Sequence, residues 1–211
     1  MSKAAVRTGR GRIDKRQAIL DAAAVVFARE GYAQAGVDVI AAEAGVAKPT
    51  VYNHFGDKES LFRAWIAAEA DRAMAKNLAV VDRLQDTGRD LRKVLEDVGH
   101  RFLQCYCEDT SSALRRLLYA ELTRFPDLAD IARGRAANRV NDAFADRLAR
   151  LALAGRLRIS DPAEAAEQFS ALLTGPIEAR SRLGTRNVPD RELRAISRSA
   201  VNTFLRAFGT E

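Results

Sequence analysis

The fold is decided by the stretch from residue 40 to residue 61, IAAEAGVAKPTVYNHFGDKESL. A short helix of about 37–44 ends here, because Gly45 follows its last turn in the manner of a helix-terminating glycine. A second short helix covers about 48–54, with Pro49 in the first turn, where no internal hydrogen-bond donor is lost. Two short helices joined by such a turn, behind a supporting helix, are typical of a helix-turn-helix that reads DNA.

The second short helix has one apolar side and one side suited to nucleic acid. Val51 and Phe55 lie four residues apart and can pack inward on the preceding helices. The other side chains carry no negative charge and offer polar groups for phosphate oxygens and base edges. The alternative for His54 is a surface histidine without a role. This outward set comprises Lys48, Thr50, Tyr52, Asn53 and His54.

Outward from this motif, the chain is predicted to be helical throughout. The supporting helix covers about 14–30 and ends at Gly31, and a long helix of about 58–84 begins after Asp57, a good N-cap. A later helix is expected to run unbroken from Pro126 to about residue 154. Since no alternating strand pattern occurs, we predict an all-α protein of about nine helices. Its parts are a flexible basic arm (1–12), a three-helix helix-turn-helix domain (13–57) and a larger helical domain (58–211).

The composition agrees with a globular, mostly helical chain. Its 211 residues are 47% hydrophobic and 29% charged, with a formal net charge of +6. Six basic side chains accompany only Asp14 in the first sixteen residues, whereas residues 17–60 are net acidic. A basic balance permits nucleic-acid binding without proving it. We see no signal peptide and no apolar stretch long enough for a membrane helix, so we expect a cytoplasmic protein.

Catalytic and metal-dependent functions find no support in the sequence. It contains no glycine-rich phosphate loop and no nucleophile elbow, and His54 and His100 are too far apart to begin a metal cluster. We therefore expect no enzyme activity, no cofactor and no metal site. Cys105 and Cys107 would point in different directions on a helix, which favours two reduced thiols, with a redox sensor as the alternative.

The stretch 40–61, together with Ala22, Phe27 and Gly31-Tyr32, resembles the DNA-binding signature of the TetR family over about residues 13–62. Phe125-Pro126 and the stretch 155–173 resemble the AefR-like group of TetR ligand-binding domains. The resemblance implies that residues 58–211 serve ligand binding and dimerisation. It also implies a repressor that a small-molecule effector, largely apolar or aromatic, releases from a near-palindromic operator.

The resemblance also assigns roles in DNA binding. Lys48, Pro49 and Tyr52 match positions that reach base edges, and Thr50, Asn53, His54 and Lys58 match positions that hold phosphates. Ala35, Gly36 and Ala47 stand where the family often has Thr or Ser, so that a helix cap or a phosphate contact is lost. We hypothesise that the basic arm compensates by entering an adjacent minor groove, and the alternative is a solubilising tail. The arm residues are Arg7, Arg10 and Arg12.

The larger domain is expected to contain the effector pocket, because family members usually have a cavity between these helices. Each candidate could instead be an ordinary core residue, and His100 in particular a hydrogen-bonded, partly buried histidine. Gln104, Glu121 and Arg124 could orient a ligand. The candidate pocket residues are Phe62, Trp65, His100, Phe102, Tyr106, Leu118, Tyr119, Leu122, Phe144 and Phe169.

The resemblance implies that the last two helices, about 162–182 and 190–208, form a homodimer interface. The alternative is that their apolar faces only cover their own core. A two-fold dimer places its two recognition helices about 34 Å apart on successive major grooves. The rival functions are a ligand-independent regulator and a non-sequence-specific DNA-binding dimer. The candidate interface residues are Phe169, Leu172, Leu173, Ile177, Ile196, Val201, Phe204 and Leu205.

Overall fold

The computed structural model describes residues 3–84, 90–132 and 138–210, with side chains from Asp14 onward. Over these residues the chain is all-α, as predicted, with ten helices and one isolated β-bridge between Leu157 and Gly209. The helices are α1 (Lys3–Gln34), α2 (Val37–Glu43), α3 (Lys48–Phe55), α4 (Lys58–Val81), α5 (Leu91–Cys107), α6 (Asp109–Glu121), α7 (Asp127–Ala132), α8 (Asn138–Leu153), α9 (Pro162–Ser181) and α10 (Asp190–Phe208).

The first helix differs from its prediction at its start and agrees with it at its end. It begins at Lys3, so residues 3–12, predicted to be a flexible arm, have a helical backbone. Gly9 and Gly11 each weaken a helix by about 1 kcal/mol, and the prediction gave too little weight to the alanines and arginines around them, which favour helix. At the other end, Gly31, where the sequence placed the helix terminus, leaves helical geometry with φ 73° and ψ 171°, and a short helical segment beyond this kink continues α1 to Gln34.

The helix predicted from Pro126 to about residue 154 is two helices in the structure, α7 and α8. Residues 133–137, between them, lie outside the described part of the chain. Apolar residues at helical spacing on both sides led to the single prediction.

The described chain divides into two compact units. The N-terminal unit contains Met1–Glu69 and Leu117–Ile131, and the C-terminal unit contains Ala70–Arg116 and Ala132–Glu211. This division differs from the predicted boundary at residues 57 and 58, because the first part of α4 and the segment around α7 join the N-terminal unit. No helix among the described residues has both the length and the hydropathy needed to cross a membrane.

An aromatic cluster forms the centre of the N-terminal unit. Phe27 of α1 packs against Phe62 of α4, with ring centres 5.0 Å apart, and against Trp65 at 5.6 Å. Tyr32 lies 4.7 Å from Phe62 and 5.1 Å from Phe125, whose ring meets it edge-on. Aromatic pairs of this kind add about 0.5–1.5 kcal/mol to the free energy of burial. Phe125, distant in sequence, thereby holds the segment before α7 against α1 and α4.

The core of the C-terminal unit lies between α5, α8, α9 and α10. A run of phenylalanines crosses it, from Phe102 through Phe144, Phe169 and Phe204 to Phe208, with successive ring centres 4.9–5.9 Å apart. Helix α9 begins at a well-defined cap, since the Asp161 carboxylate accepts hydrogen bonds from the backbone N–H groups of Ala163 and Glu164. Asp161 at the cap and Pro162 in the first turn are both residue types that favour the start of a helix.

Candidate nucleic-acid interface

The turn between α2 and α3 is built on Gly45. This residue has φ 64°, a left-handed conformation that glycine adopts without steric strain. Its N–H donates to the Ala42 carbonyl at 3.1 Å, and the N–H of Val46 donates to the Ala41 carbonyl at 3.0 Å. These two bonds form a Schellman motif, which ends α2 and directs the chain into α3.

Helix α3 divides into a buried and an exposed side at the residues that the sequence indicated. Val51 is only 2% exposed, and Phe55 is partly buried beneath the guanidinium of Arg16, 5.1 Å from the ring centre. Tyr52 is 42% exposed. Among the other predicted DNA contacts of this helix, the exposed ones are Lys48, Pro49 and Asn53 and the partly buried ones are Thr50 and His54.

Neither α2 nor α3 has a side-chain cap. The residues at the cap positions are Gly36 and Ala47, which cannot donate or accept a side-chain hydrogen bond, and none is present. The first-turn N–H groups of both helices therefore have no side-chain acceptor from a capping residue. This is the local consequence of the two departures from the family pattern noted in the sequence.

Helix α4, by contrast, is firmly capped. The Asp57 carboxylate accepts a 2.6 Å hydrogen bond from the backbone N–H of Ser60, which lowers the pKa of Asp57. Lys58, predicted to hold a phosphate, donates from Nζ to the Ala33 carbonyl at 3.1 Å and lies 4.8 Å from the Tyr32 ring centre. Burial, and then the nearby charge of Arg124, lowers the pKa of Lys58. The ammonium thus joins the start of α4 to the end of α1.

The candidate pocket residues belong to two different units. In the N-terminal unit Phe62 and Trp65 are part of the aromatic cluster, and the buried Trp65 Nε1 has no hydrogen-bond partner among the residues that the structure describes. Leu118 is partly buried there, whereas Tyr119 and Leu122 are 59% and 36% exposed.

In the C-terminal unit Phe102, Phe144 and Phe169 form part of the phenylalanine run. Two further candidates make polar contacts across helices. His100 is buried with Nε2 2.6 Å from Oδ1 of Asp190, and the Tyr106 hydroxyl donates to Glu178 at 3.0 Å. His100 is thus the hydrogen-bonded core histidine that the sequence analysis offered as its alternative role.

Most candidate interface residues lie in the core of their own chain. Six of them are at most 2% exposed and pack within their own chain: Phe169, Leu173, Ile177, Ile196, Val201 and Phe204. Leu172 and Leu205 are partly buried. The periodicity of α9 and α10 showed an apolar side on each helix, but it could not show that this side packs inward.

A groove of about 440 Å³ lies instead on another side of these two helices. We call it the α9–α10 groove. Sequence reasoning missed most of its lining, because small residues such as Ala171 and Ala207 give no strong hydrophobic signal. The groove is lined by Gln168, Ala171, Leu172, Pro176, Thr203, Phe204, Ala207 and Phe208.

Both units match known families. Residues 19–65 match the bacterial regulatory proteins of the tetR family, and residues 93–210 match the AefR-like transcriptional repressor C-terminal domain. The chain belongs to the TetR family. Both the family and the AefR-like group agree with the resemblance seen in the sequence, and this TetR-family protein is accordingly a transcriptional regulator.

Its relatives include both a transcriptional activator and a transcriptional repressor. This TetR-family protein is 35% identical to the transcriptional activator FasR of Mycolicibacterium smegmatis over 85 residues, 40% of this chain and 39% of that one. It is 30% identical to the transcriptional repressor ComR of Escherichia coli over 124 residues, 59% of this chain and 58% of that one. The chain thus matches less than two thirds of either relative.

The fold has a near counterpart among solved structures. A TetR-family transcriptional regulator from Mesorhizobium loti aligns with a TM-score of 0.88 and 26% sequence identity. The alignment covers 94% of this chain and 98% of that chain.

Proposed function

We propose that this TetR-family regulator binds a near-palindromic operator as a homodimer, with one α3 in each of two successive major grooves. The observation that carries this proposal is the division of α3. Val51 anchors the helix, while Lys48, Tyr52 and Asn53 remain exposed on a helix without a carboxylate. Such side chains suit base edges and phosphates. Lys48, Pro49 and Tyr52 are proposed to contact bases, and Thr50, Asn53, His54 and Lys58 to contact phosphates.

The basic N-terminal segment is proposed to strengthen this contact through an adjacent minor groove. Support comes from the missing caps of α2 and α3, since a protein without those hydroxyls has fewer donors for the backbone phosphates. Arg7, Arg10 and Arg12 supply the charge. Deletion of residues 2–12 tests the idea, because unchanged affinity together with an unchanged salt dependence would exclude a contribution from the segment.

Dimerisation is proposed to use the α9–α10 groove. Its lining is mainly apolar, and its small residues would let a second helix pair approach closely. The same surface on two protomers, related by a two-fold axis, would form a closed dimer. The two recognition helices would then meet the two halves of a palindrome about 34 Å apart.

We also propose that an apolar or aromatic effector releases the protein from its operator. The C-terminal unit offers aromatic side chains to such a ligand, and α4 continues from the N-terminal into the C-terminal unit without interruption. A ligand that favours one conformation of the C-terminal unit would weaken operator binding, typically by about 1–3 kcal/mol, and the operator would weaken ligand binding equally. Equal operator affinity with and without a bound effector would contradict this part.

The decisive experiment selects binding sites from a random duplex pool at one fixed salt concentration. The native protein should enrich a near-palindrome, and Tyr52→Ala should not. Arg139→Gln, on the exposed start of α8, serves as the control and should enrich the same palindrome. If native protein and Tyr52→Ala bind DNA in low salt without enriching any sequence, the protein is instead a non-specific DNA-binding dimer.

A further inference from the structure

Two positive side chains lie against one buried tyrosine in the N-terminal unit. Lys58 Nζ is 4.8 Å from the centre of the Tyr32 ring, and Cζ of Arg124 is 5.2 Å from the same point. The ring itself is only 4% exposed, so its position is held by the surrounding aromatic cluster. Arg124 also lies 5.1 Å from the centre of the Phe125 ring. Arg124 is exposed, and its contacts with the Tyr32 and Phe125 rings hold the guanidinium in one direction.

Within the described part of the chain, neither of these two charges contacts a carboxylate directly, although Glu121 lies near enough to raise the pKa of Lys58. Among the described residues neither Lys58 nor Arg124 forms an ion pair, whereas nearby Arg63 is bound to Asp127 at 2.8 Å and to Glu59 at 3.4 Å. The Lys58 ammonium donates one hydrogen bond to the Ala33 carbonyl, and its remaining N–H groups can donate to a further acceptor. The charge of Arg124 repels the Lys58 ammonium and lowers its pKa, and an anion bound by both side chains would relieve that repulsion.

Their place relative to α3 indicates which anion this would be. Lys58 follows α3 after only Gly56 and Asp57. With α3 in the major groove, as proposed above, the start of α4 would lie at the edge of that groove. The edge of the groove is where backbone phosphates lie. Arg124 comes from the turn between α6 and α7, far outside the helix-turn-helix in sequence, yet its guanidinium shares the Tyr32 ring with Lys58. Residues 17–60 are net acidic, so cations at this edge are scarce.

We propose that Arg124 is a DNA contact and that, together with Lys58, it binds one phosphate of the operator backbone. This inference rests on the proposed function and adds to it a residue that the family pattern of the helix-turn-helix does not contain. A planar guanidinium can bind a phosphate through two N–H groups at once. The contact positions the protein on DNA and carries no base specificity.

The test compares salt dependence of operator binding between native protein, Arg124→Gln, Arg124→Lys and Arg139→Gln. The logarithm of the binding constant falls linearly with the logarithm of salt concentration, with a slope set by the number of neutralised phosphates. Arg124→Gln should reduce the slope by about 1 and weaken binding about threefold to tenfold at low salt. Arg124→Lys should keep the slope, and Arg139→Gln, which removes the same charge elsewhere, should change neither quantity.

A second measurement locates the phosphate and separates contact from folding. Duplexes with a single neutral methylphosphonate at each backbone position should include one that weakens the native protein clearly more than Arg124→Gln, in which only Lys58 still contacts that phosphate. A purely structural role of Arg124 would lower the melting temperature and leave slope and phosphonate profile unchanged, which would overturn the inference.

The proposed function can fail separately. If the native protein selects no palindrome, the slope comparison on a random duplex still decides whether Arg124 contacts a phosphate.

Discussion

The Oγ atom of Ser197 donates a 2.8 Å hydrogen bond to the backbone carbonyl of Glu96, which joins α10 to α5 in the C-terminal core. The contact is possible because Gly99, on the same turn of α5, has no side chain. A Cβ atom at Gly99 would lie 2.7 Å from the Ser197 Oγ and 3.4 Å from Leu173. The two helices thus approach closely at one serine and one glycine.

Gly99→Ala should therefore destabilise the C-terminal unit, although alanine is the better helix former. Forcing a methyl group into a packed core costs about 1–3 kcal/mol, measurable by urea unfolding. Ser197→Ala removes the obstructing oxygen, so the double variant should lose less stability than the sum of the single variants. Strict additivity of the two effects would show that the predicted clash is relaxed in another way.

Restoring a cap on the recognition helix should stabilise it. Ala47 has the extended backbone of an N-cap residue, with φ −73° and ψ 144°, but no side-chain oxygen. Ala47→Ser should raise the free energy of unfolding of the N-terminal unit by about 1 kcal/mol. It should also strengthen operator binding, if the hydroxyl reaches a phosphate. Ala42→Ser, exposed inside α2, is the matched control and should give no gain, because serine is a poorer helix former than alanine.

A charge in the α9–α10 groove should separate the proposed dimer. Thr203→Glu places a carboxylate on the groove lining, where a two-fold contact would bury it against apolar groups. Sedimentation should show a shift from dimer to monomer and operator binding should weaken. Asn202→Glu, also exposed on α10 but outside the groove lining, should leave the dimer intact. A dimer that survives Thr203→Glu would place the interface elsewhere.

The link between α5 and α10 at Asp190 should make stability depend on acid pH. Hydrogen bonds from Arg194 and then from His100 lower the pKa of Asp190. A carboxylate with a lowered pKa stabilises the folded state above its unfolded pKa, about 3.9, and loses that contribution as pH falls through its folded value. Asp190→Asn should therefore lower the melting temperature at neutral pH, and the difference from the native protein should shrink below about pH 4.

Asp146→Asn controls for the change in net charge, since it removes the same charge from the exposed side of α8. A constant difference between native protein and Asp190→Asn at every pH would mean that the charge of Asp190 contributes nothing.

The two cysteines should react slowly. Burial raises the pKa of Cys105 and of Cys107, and both side chains are partly buried. The thiolate is the reactive form, so alkylation by iodoacetamide at neutral pH should be slower than that of glutathione. Alkylation as fast as that of the free thiol would instead favour the redox sensor that the sequence left open.

Much of the N-terminal unit was predictable because its signals are local. The Schellman turn at Gly45, the cap at Asp57 and the inward position of Val51 each depend on residues within one or two helical turns. The helix-turn-helix follows from them. The sequence did not predict that α7 and α8 are separate helices. Apolar spacing indicates which residues share a helix face, but it does not show where one helix ends and the next begins.

By itself, the sequence determined the helical class, the recognition helix and the family. Only the tertiary structure decided that Phe125 and Arg124 meet Tyr32 and Lys58, and that Phe169 and Ile177 are core residues. Both decisions concern packing between residues far apart in the chain. Helical periodicity indicates which residues share a helix face. Which other helix packs against that face depends on the free energy of burial over the whole unit.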